Sequence, residues 1–216
     1  AKESGCYLFS YGLESASPTV IKSMNKKINI CQVTEAMDLA RRNKVGFSAN
    51  LIFGDIAETS QTIAESLSFW FGHCQDTFVF LSNLLPYPGS KLYDDCVSRG
   101  LIKDKRQYYE TIDDQLLNMT QIPDFIYQSW LVTMQSLEKT WLPVKCATSV
   151  KAVEDCCNED WGGKYQGEKM YKVTAVCPYC GESVEYRNSI KDIRGFILGV
   201  GCTKCNRKIR INVIGN

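Results

Sequence analysis

Residues 46–53, GFSANLIF, carry no charge and stop at the pair Gly54-Asp55. A short, almost wholly apolar run closed by a glycine reads as a strand buried in a sheet, with the chain turning at its carboxyl end. Two similar runs flank it: residues 5–11, GCYLFSY, followed by Gly12, and residues 77–85, TFVFLSNLL, broken by Pro86-Tyr87-Pro88-Gly89. The segments between them have helical period. Ser17-Pro18 opens a short helix with Val20, Ile21 and Met24 on its apolar side, proline suiting a first helical position. Val33, Ala36, Met37 and Ala40 recur at i, i+3, i+4 and i+7 within residues 31–43, and Ile63, Leu67 and Trp70 share a face of a helix over about 59–71. A further helix through Leu92, Tyr93 and Val97 ends at Gly100. Strand and helix alternate three times, and the strands are too apolar to leave one face in water. That pattern predicts an α/β fold of right-handed βα units, a parallel sheet covered by helices.

Beyond Gly100 the pattern changes. Residues 101–123 read as an irregular connection, and Ile126, Trp130, Met134, Leu137 and Trp141 then mark a longer helix that stops near Pro143. Glycine and charge dominate residues 158–168, NEDWGGKYQGE, which place a domain boundary there. The remainder alternates apolar and polar residues in KVTAV, FILGV and RKIRINVI, as a small antiparallel sheet does. The expected organisation is residues 1–102 as the α/β unit, 103–160 as a helical extension and 169–216 as a small β unit.

That β unit holds the most specific chemistry of the chain. Cys177-Pro178-Tyr179-Cys180 and Cys202-Thr203-Lys204-Cys205 are two Cys-x-x-Cys pairs separated by 21 residues. Each pair points two thiolates at one ion, and two such knuckles on neighbouring hairpins complete a tetrahedral shell. Gly181 follows the first pair and Asn206 the second, residues that tolerate the positive φ such a turn needs. A closed Cys₄ shell leaves no open coordination position, so the expectation is a zinc ribbon with structural zinc held by Cys177, Cys180, Cys202 and Cys205. A unit this small also needs the metal to be secure. Lys204, Arg207, Lys208 and Arg210 form a short basic edge beside the second knuckle and read as a solvated sheet face.

Composition narrows the function classes. Over 216 residues, 44% are hydrophobic, 11% aromatic and 23% charged, with a formal charge of +1. Such a balance suits a globular core and argues against nucleic acid or an anionic membrane as the partner. No apolar run reaches the roughly 18 residues of a membrane helix, and the N-terminal stretch AKESGCYLFSYG carries no signal pattern. The chain begins with Ala, which reads as a fragment boundary. Of 11 cysteines, the seven outside the knuckles (Cys6, Cys31, Cys74, Cys96, Cys146, Cys156 and Cys157) are scattered, which fits a reducing cytoplasm and not a disulfide framework.

Three phrases lie where parallel strands run into helices: GLESASPTVIKSMNKK (12–27), FSANLIFGDIAET (47–59) and LLPYPGSKLYDDCVSRGLI (84–102). In this order, residues 5–102 resemble the C-terminal half of the catalytic barrel of radical S-adenosylmethionine enzymes. The likeness is to the group that often carries a cobalamin-binding domain ahead of the barrel. The resemblance implies a partial (β/α) TIM-like barrel of about three βα units. It also implies S-adenosylmethionine as the small-molecule partner, with a [4Fe–4S] cluster, and cobalamin as a candidate, in the intact protein. Glu14 and Ser15 correspond to the position that meets the ribose and amino-acid part of the ligand. Asn50, Ile52 and Gly54 correspond to the adenine contact, Glu58 to the motif's terminal acid, and Pro86 and Tyr87 to the cofactor mouth.

The fifth-strand motif, G-x-I-x-G-x-x-E, has Asn50 in place of its first glycine, and Asp55-Ile56-Ala57 replaces a frequent Pro-Gly step. No Cys-x-x-x-Cys-x-x-Cys triplet for the cluster occurs in the chain. The expectation is therefore a piece of such an enzyme, inactive alone, whose partner is the missing N-terminal half of the barrel. An open sheet edge at GCYLFSY follows from the same reading. The alternative is a non-enzymatic zinc-ribbon module that binds protein or RNA. His73-Cys74 as a catalytic pair is disfavoured, because neighbouring side chains do not face each other and no orienting acid is evident. Asp94-Asp95 and Asp113-Asp114 read as solvated surface, Trp130 and Trp141 as core, and Tyr87 and Tyr93 as packing near the mouth.

Overall fold

Strands β1 (Leu8–Glu14), β2 (Gly46–Phe53) and β3 (Phe78–Asn83) pair in parallel in the order β1-β2-β3. The computed structural model describes residues 2–112, 117–140, 144–154, 169–190 and 196–213. Between the strands run α1 (Pro18–Ser23), α2 (Ile30–Arg42) and α3 (Ser60–His73). Local chemistry sets the helix starts. Asn29 and Gln32 form a reciprocal capping box on α2, Thr59 and Thr62 do the same on α3, and Pro18 occupies the first turn of α1. Each βα step of the expected alternation is present, and the bounds of β2 match the sequence expectation residue for residue.

Phe47, Ala49, Leu51 and Phe53 alternate along β2 into one core with Met37 of α2 and with Ile63, Leu67 and Trp70 of α3. Trp70 also donates its indole N–H to the Val79 carbonyl at 2.9 Å, tying α3 to β3 through the core. The opposite face carries Ser48, Asn50 and Ile52, with Asn50 exposed. The expectation that the strands are buried on both faces is corrected here: the second face is open over much of its length. Among the described residues no closed barrel forms.

Helix α4 (Lys91–Ser98) follows β3, with Ser90 accepting a hydrogen bond from the Tyr93 amide. Residues 101–123, expected to be irregular, contain α5 (Lys105–Glu110), started by Asp104, whose carboxylate accepts from the Arg106 and Gln107 amides. This helix buries Tyr108 against Tyr93, Cys96, Ile102 and Met119. With one apolar anchor on a six-residue helix there is no periodicity to read, so the capping aspartate was its only signal. Helix α6 (Asp124–Thr140) packs on the main core through Tyr127, Leu131 and Met134. Of the expected stripe, Met134 thus lies in the core while Ile126, Trp130 and Leu137 form its half-buried shoulder; Trp141 and Pro143 lie outside the described residues.

The C-terminal part is antiparallel: β4 (Thr148–Glu154), β5 (Met170–Val176) and β6 (Ser183–Ile190) form one sheet, and β7 (Phe196–Gly201) and β8 (Lys208–Val213) another. Strand β4 corrects the expectation of a helical stretch through residue 160, since it pairs with β5. The Ala147 amide donates to the Arg210 carbonyl and the Arg210 amide to the Lys145 carbonyl, so the second sheet is joined to this segment as well. The expected boundary at 158–168 lies outside the described residues, as do Cys156, Cys157 and Asp113-Asp114.

Candidate functional site

Parallel pairing puts the carboxyl ends of β1, β2 and β3 along one edge, the position from which open α/β sheets present ligand-binding loops. Glu14 is paired with Leu51, Phe53 with Asn83, and the Leu84 amide donates to the Phe53 carbonyl at 2.7 Å. The three phrases read from the sequence therefore converge at one end of the sheet.

The residues named there have different surroundings. Glu14 has φ 63°, an uncommon value for a residue with a side chain, and its carboxylate accepts from Lys26 Nζ at 2.8 Å. Asn50 is exposed, and Ile52 half-buried on the same open face. Ser15 is buried: its hydroxyl exchanges a hydrogen bond with Ser66 of α3 at 3.1 Å and accepts from the Ser17 amide. That side chain ties the β1–α1 turn to α3. Pro86 is buried, and its carbonyl accepts from Tyr108 Oη at 3.1 Å, while Tyr87 is exposed.

Below this edge lies a buried polar cluster. Glu58 is fully buried and its Oε2 accepts from the Gly54 amide, bracing the loop across Asp55 to Ala57. Asp55 builds the turn itself, its Oδ1 accepting from the Ala57 amide at 2.9 Å, where the resembling motif often has Pro-Gly. Burial pushes the Glu58 carboxyl up to about 7, with the nearby Asp55 charge adding to it and the Gly54 amide opposing it. Tyr127, unnoticed in the sequence, reaches in from α6; its hydroxyl donates to Asn83 Oδ1 at 2.7 Å. Burial, with Glu58 adding to it, pushes that phenol well above its ordinary range. Among the described residues Glu58 Oε1 and Asn83 Nδ2 have no hydrogen-bond partner. A tyrosine within an apolar helix stripe was the one available signal, since a buried phenol needs an acceptor.

At the other end of the sheet stand the four cysteines. Their sulfurs lie within 4.8 Å of one another, with Cys177–Cys205 at 3.9 Å and Cys180–Cys202 at 3.8 Å. A tetrahedral ion with metal–sulfur bonds of about 2.3 Å requires sulfur–sulfur edges of about 3.8 Å, so these four fit a metal ion. The two knuckles have matching turns. Gly181 and Asn206 have φ 74° and 58°, their amides return to the Cys177 and Cys202 carbonyls, and the Tyr179 and Lys204 amides point at the Cys177 and Cys202 sulfurs. Cys177, Cys202 and Cys205 are buried and Cys180 partly so. Burial pushes the Cys177 and Cys205 thiols up, whereas at Cys202 burial is outweighed by amide and thiol hydrogen bonds, which hold the thiol down.

The basic edge is solvated only in part: Lys204 is exposed as expected, whereas Arg207 and Lys208 are turned onto the chain, which corrects the sequence reading for those two. Arg207 pairs with buried Asp76 and lies over the Tyr179 ring at 4.0 Å, and Lys208 Nζ sits over Phe78 and Phe80. His73 ends α3 and stacks on Phe69, while the Cys74 thiol is pushed up to about 12 by burial. A thiol pushed up in this way is not an activated nucleophile. All nine described cysteines are free, and among the described residues no helix is long and apolar enough to cross a membrane.

No family model matches the chain. It is 32% identical over 100 residues to the bacteriochlorophyllide d C-12(1)-methyltransferase of Chlorobaculum tepidum, covering 46% of this chain and 22% of that protein. It is 26% identical over 113 residues to an uncharacterized methyltransferase of Pyrococcus horikoshii, covering 52% and 24%. The chain thus matches less than a quarter of the length of these curated relatives. A solved structure of archaeal Elp3 from Methanocaldococcus infernus, lacking its N-terminal residues 1–46, aligns with a TM-score of 0.42 at 12% identity over 96% of this chain and 60% of that one.

Proposed function

We propose that residues 5–102 form the C-terminal part of a radical S-adenosylmethionine enzyme barrel, and that the cysteine unit is a zinc ribbon appended to it. The observation that carries the reading is the convergence of Glu14, Ile52–Gly54 and Pro86 at the carboxyl edge of a parallel sheet. The likeness to two methyltransferases supports it. In this reading S-adenosylmethionine lies along that edge. Glu14 meets its ribose or ammonium group, Asn50, Ile52 and the Gly54 backbone meet its adenine, Tyr87 borders the mouth, and Glu58 holds the adenine loop from behind.

A [4Fe–4S] cluster, bound by cysteines of the N-terminal half, supplies reductive cleavage of S-adenosylmethionine to start radical chemistry. Methyl transfer, with or without cobalamin, is the reaction class the relatives favour. Free thiols fit a cytoplasmic setting. Residues 1–216 alone provide neither the cluster ligands nor the opposite wall of the site.

The test is the full open reading frame, with a Cys-x-x-x-Cys-x-x-Cys motif expected about a hundred residues ahead of residue 1. Purified without oxygen, that protein is expected to show four-iron absorption and to release 5′-deoxyadenosine, and Glu14→Ala is expected to lower its affinity for S-adenosylmethionine about tenfold. Residues 1–216 alone should do neither. Turnover by the short chain, or an upstream sequence without the triplet, defeats the proposal.

A further inference from the structure

The metal knuckles touch the parallel sheet at its base, away from the loops proposed to bind the cofactor. Asp76, at the start of β3 and 5% exposed, is the centre of that contact. Arg41 of α2 grips its carboxylate through Nε and Nη2 at 3.0 and 2.8 Å, and Arg207 binds the same carboxylate from the second knuckle. Burial alone would push this carboxyl up; the two guanidiniums together outweigh it and hold it below the ordinary range.

Around this ion triad the contact is backbone-specific. The Lys208 amide donates to the Asp76 carbonyl at 2.8 Å, Tyr179 Oη to the Gln75 carbonyl at 3.2 Å, and Asn206 Nδ2 to the Lys44 carbonyl at 3.0 Å. Gly46 opens β2 with no room for a side chain, since a Cβ there would lie 3.0 Å from the Asn206 carbonyl oxygen. The residues making these contacts are the knuckles themselves: Tyr179 lies between Cys177 and Cys180, and Asn206 to Lys208 directly follow Cys205.

We infer that the four-cysteine site is a metal-dependent latch whose partner is this chain's own sheet: the bound ion shapes the turns that present Tyr179, Asn206 and Arg207, and these hold Asp76 and the first residues of β2 and β3. The inference rests on metal binding by the four thiolates, as proposed above. Linkage is reciprocal: the factor by which the bound ion favours the Asp76 contact is the factor by which the intact contact favours metal binding. The role differs from that of a ribbon displayed to an outside partner, because Tyr179, Asn206 and Arg207 are engaged within the chain.

The experiment uses the whole chain loaded with zinc. Backbone hydrogen exchange is followed over residues 44–48 and 75–80, with 51–53 and α3 as internal reference, before and after chelation, and zinc affinity is measured by competition with a chromophoric chelator. Chelation is expected to raise exchange at 44–48 and 75–80 at least tenfold while the reference segments keep their protection. Asp76→Asn is expected to give the same exchange pattern with zinc present and to lower zinc affinity on the order of tenfold. Tyr179→Phe removes only the hydroxyl contact and keeps the ring beneath Arg207; it guards against an unfolded Asp76 variant, with a several-fold rise in exchange confined to 75–77. Stoichiometric zinc with unchanged exchange on chelation, or wild-type zinc affinity in a folded Asp76→Asn chain, overturns the latch alone. A chain that binds no stoichiometric zinc overturns the metal reading and the latch with it.

Discussion

Gly54 and Gly181 both sit at positive φ, 116° and 74°, yet their surroundings set different penalties for a side chain. A Cβ at Gly54 would lie 2.6 Å from Tyr127 Oη, whereas one at Gly181 meets nothing within 4 Å. Gly181→Ala should therefore cost only the backbone term, about 1 kcal/mol. Gly54→Ala adds a steric clash in a packed core and should cost about 3 kcal/mol or more, partly relieved by Tyr127→Phe; chemical denaturation of the three variants checks the ranking. Glu58 gives a pH dependence of defined sign. At about pH 4 and below its carboxyl is protonated whether the chain is folded or not. As pH rises toward 7, the unfolded chain releases that proton while the folded chain, with its carboxyl pushed up to about 7, retains it. Stability therefore falls across that window, by on the order of 3 kcal/mol, and stays level above it. Glu58→Gln keeps an acceptor for the Gly54 amide without the charge, so thermal melts from pH 5 to 8 should lose most of this slope. The Glu58 position was legible from the motif. The Tyr127–Asn83 pair that closes over Gly54 was not, because the two come from other elements and meet only through the fold.

At the level of elements, legibility followed the number of apolar anchors. β2, α2 and α3 each carry three or more buried apolar residues at regular spacing, and each was expected in the right place. Helix α5 has one buried residue and β4 none, and both went unread. Strand β4 exists because the free side of β5 hydrogen-bonds to it, a long-range condition invisible in TSVKAVE itself. In the cysteine unit Cys177, Cys202 and Cys205 are themselves part of the core, beside Val173, Val184, Ile209 and Ile211. Metal removal should consequently melt this unit: the β signal in circular dichroism falls on chelation, while the helical signal from α2, α3 and α6 persists. Retention of the full spectrum after complete demetallation would show that the apolar residues suffice without an ion.

Across the whole molecule the conspicuous surface is the outer side of β1. Tyr7, Leu8, Phe9 and Tyr11 are 69%, 37%, 37% and 42% exposed, and beside them an apolar hollow of about 170 Å³ is lined by residues including Leu13, Ile28, Val33 and Phe47. Among the described residues no strand pairs with the outer edge of β1, and such an edge with its aromatic side chains forms a template for strand addition. Sedimentation velocity at micromolar concentration should show self-association of residues 1–216, reduced by the paired substitution Leu8→Lys and Phe9→Lys and, on the proposed reading, abolished when an upstream barrel half is expressed with it. A monodisperse monomer of the wild-type short chain would mean that this edge is protected in another way.

Taken alone, the sequence determined the alternation of strands and helices, the turn glycines and the two cysteine pairs, because each depends on residues within one turn or one period of each other. Tertiary structure decided which loops share an edge, that Tyr127 and Asn83 close over Gly54, and that Arg207 turns inward to Asp76. The physical reason is range. A cap, a period or a Cys-x-x-Cys turn is written in neighbouring residues, whereas a buried carboxylate finds its cations only where packing has brought distant segments together, and Asp76 and Arg207 are 131 residues apart.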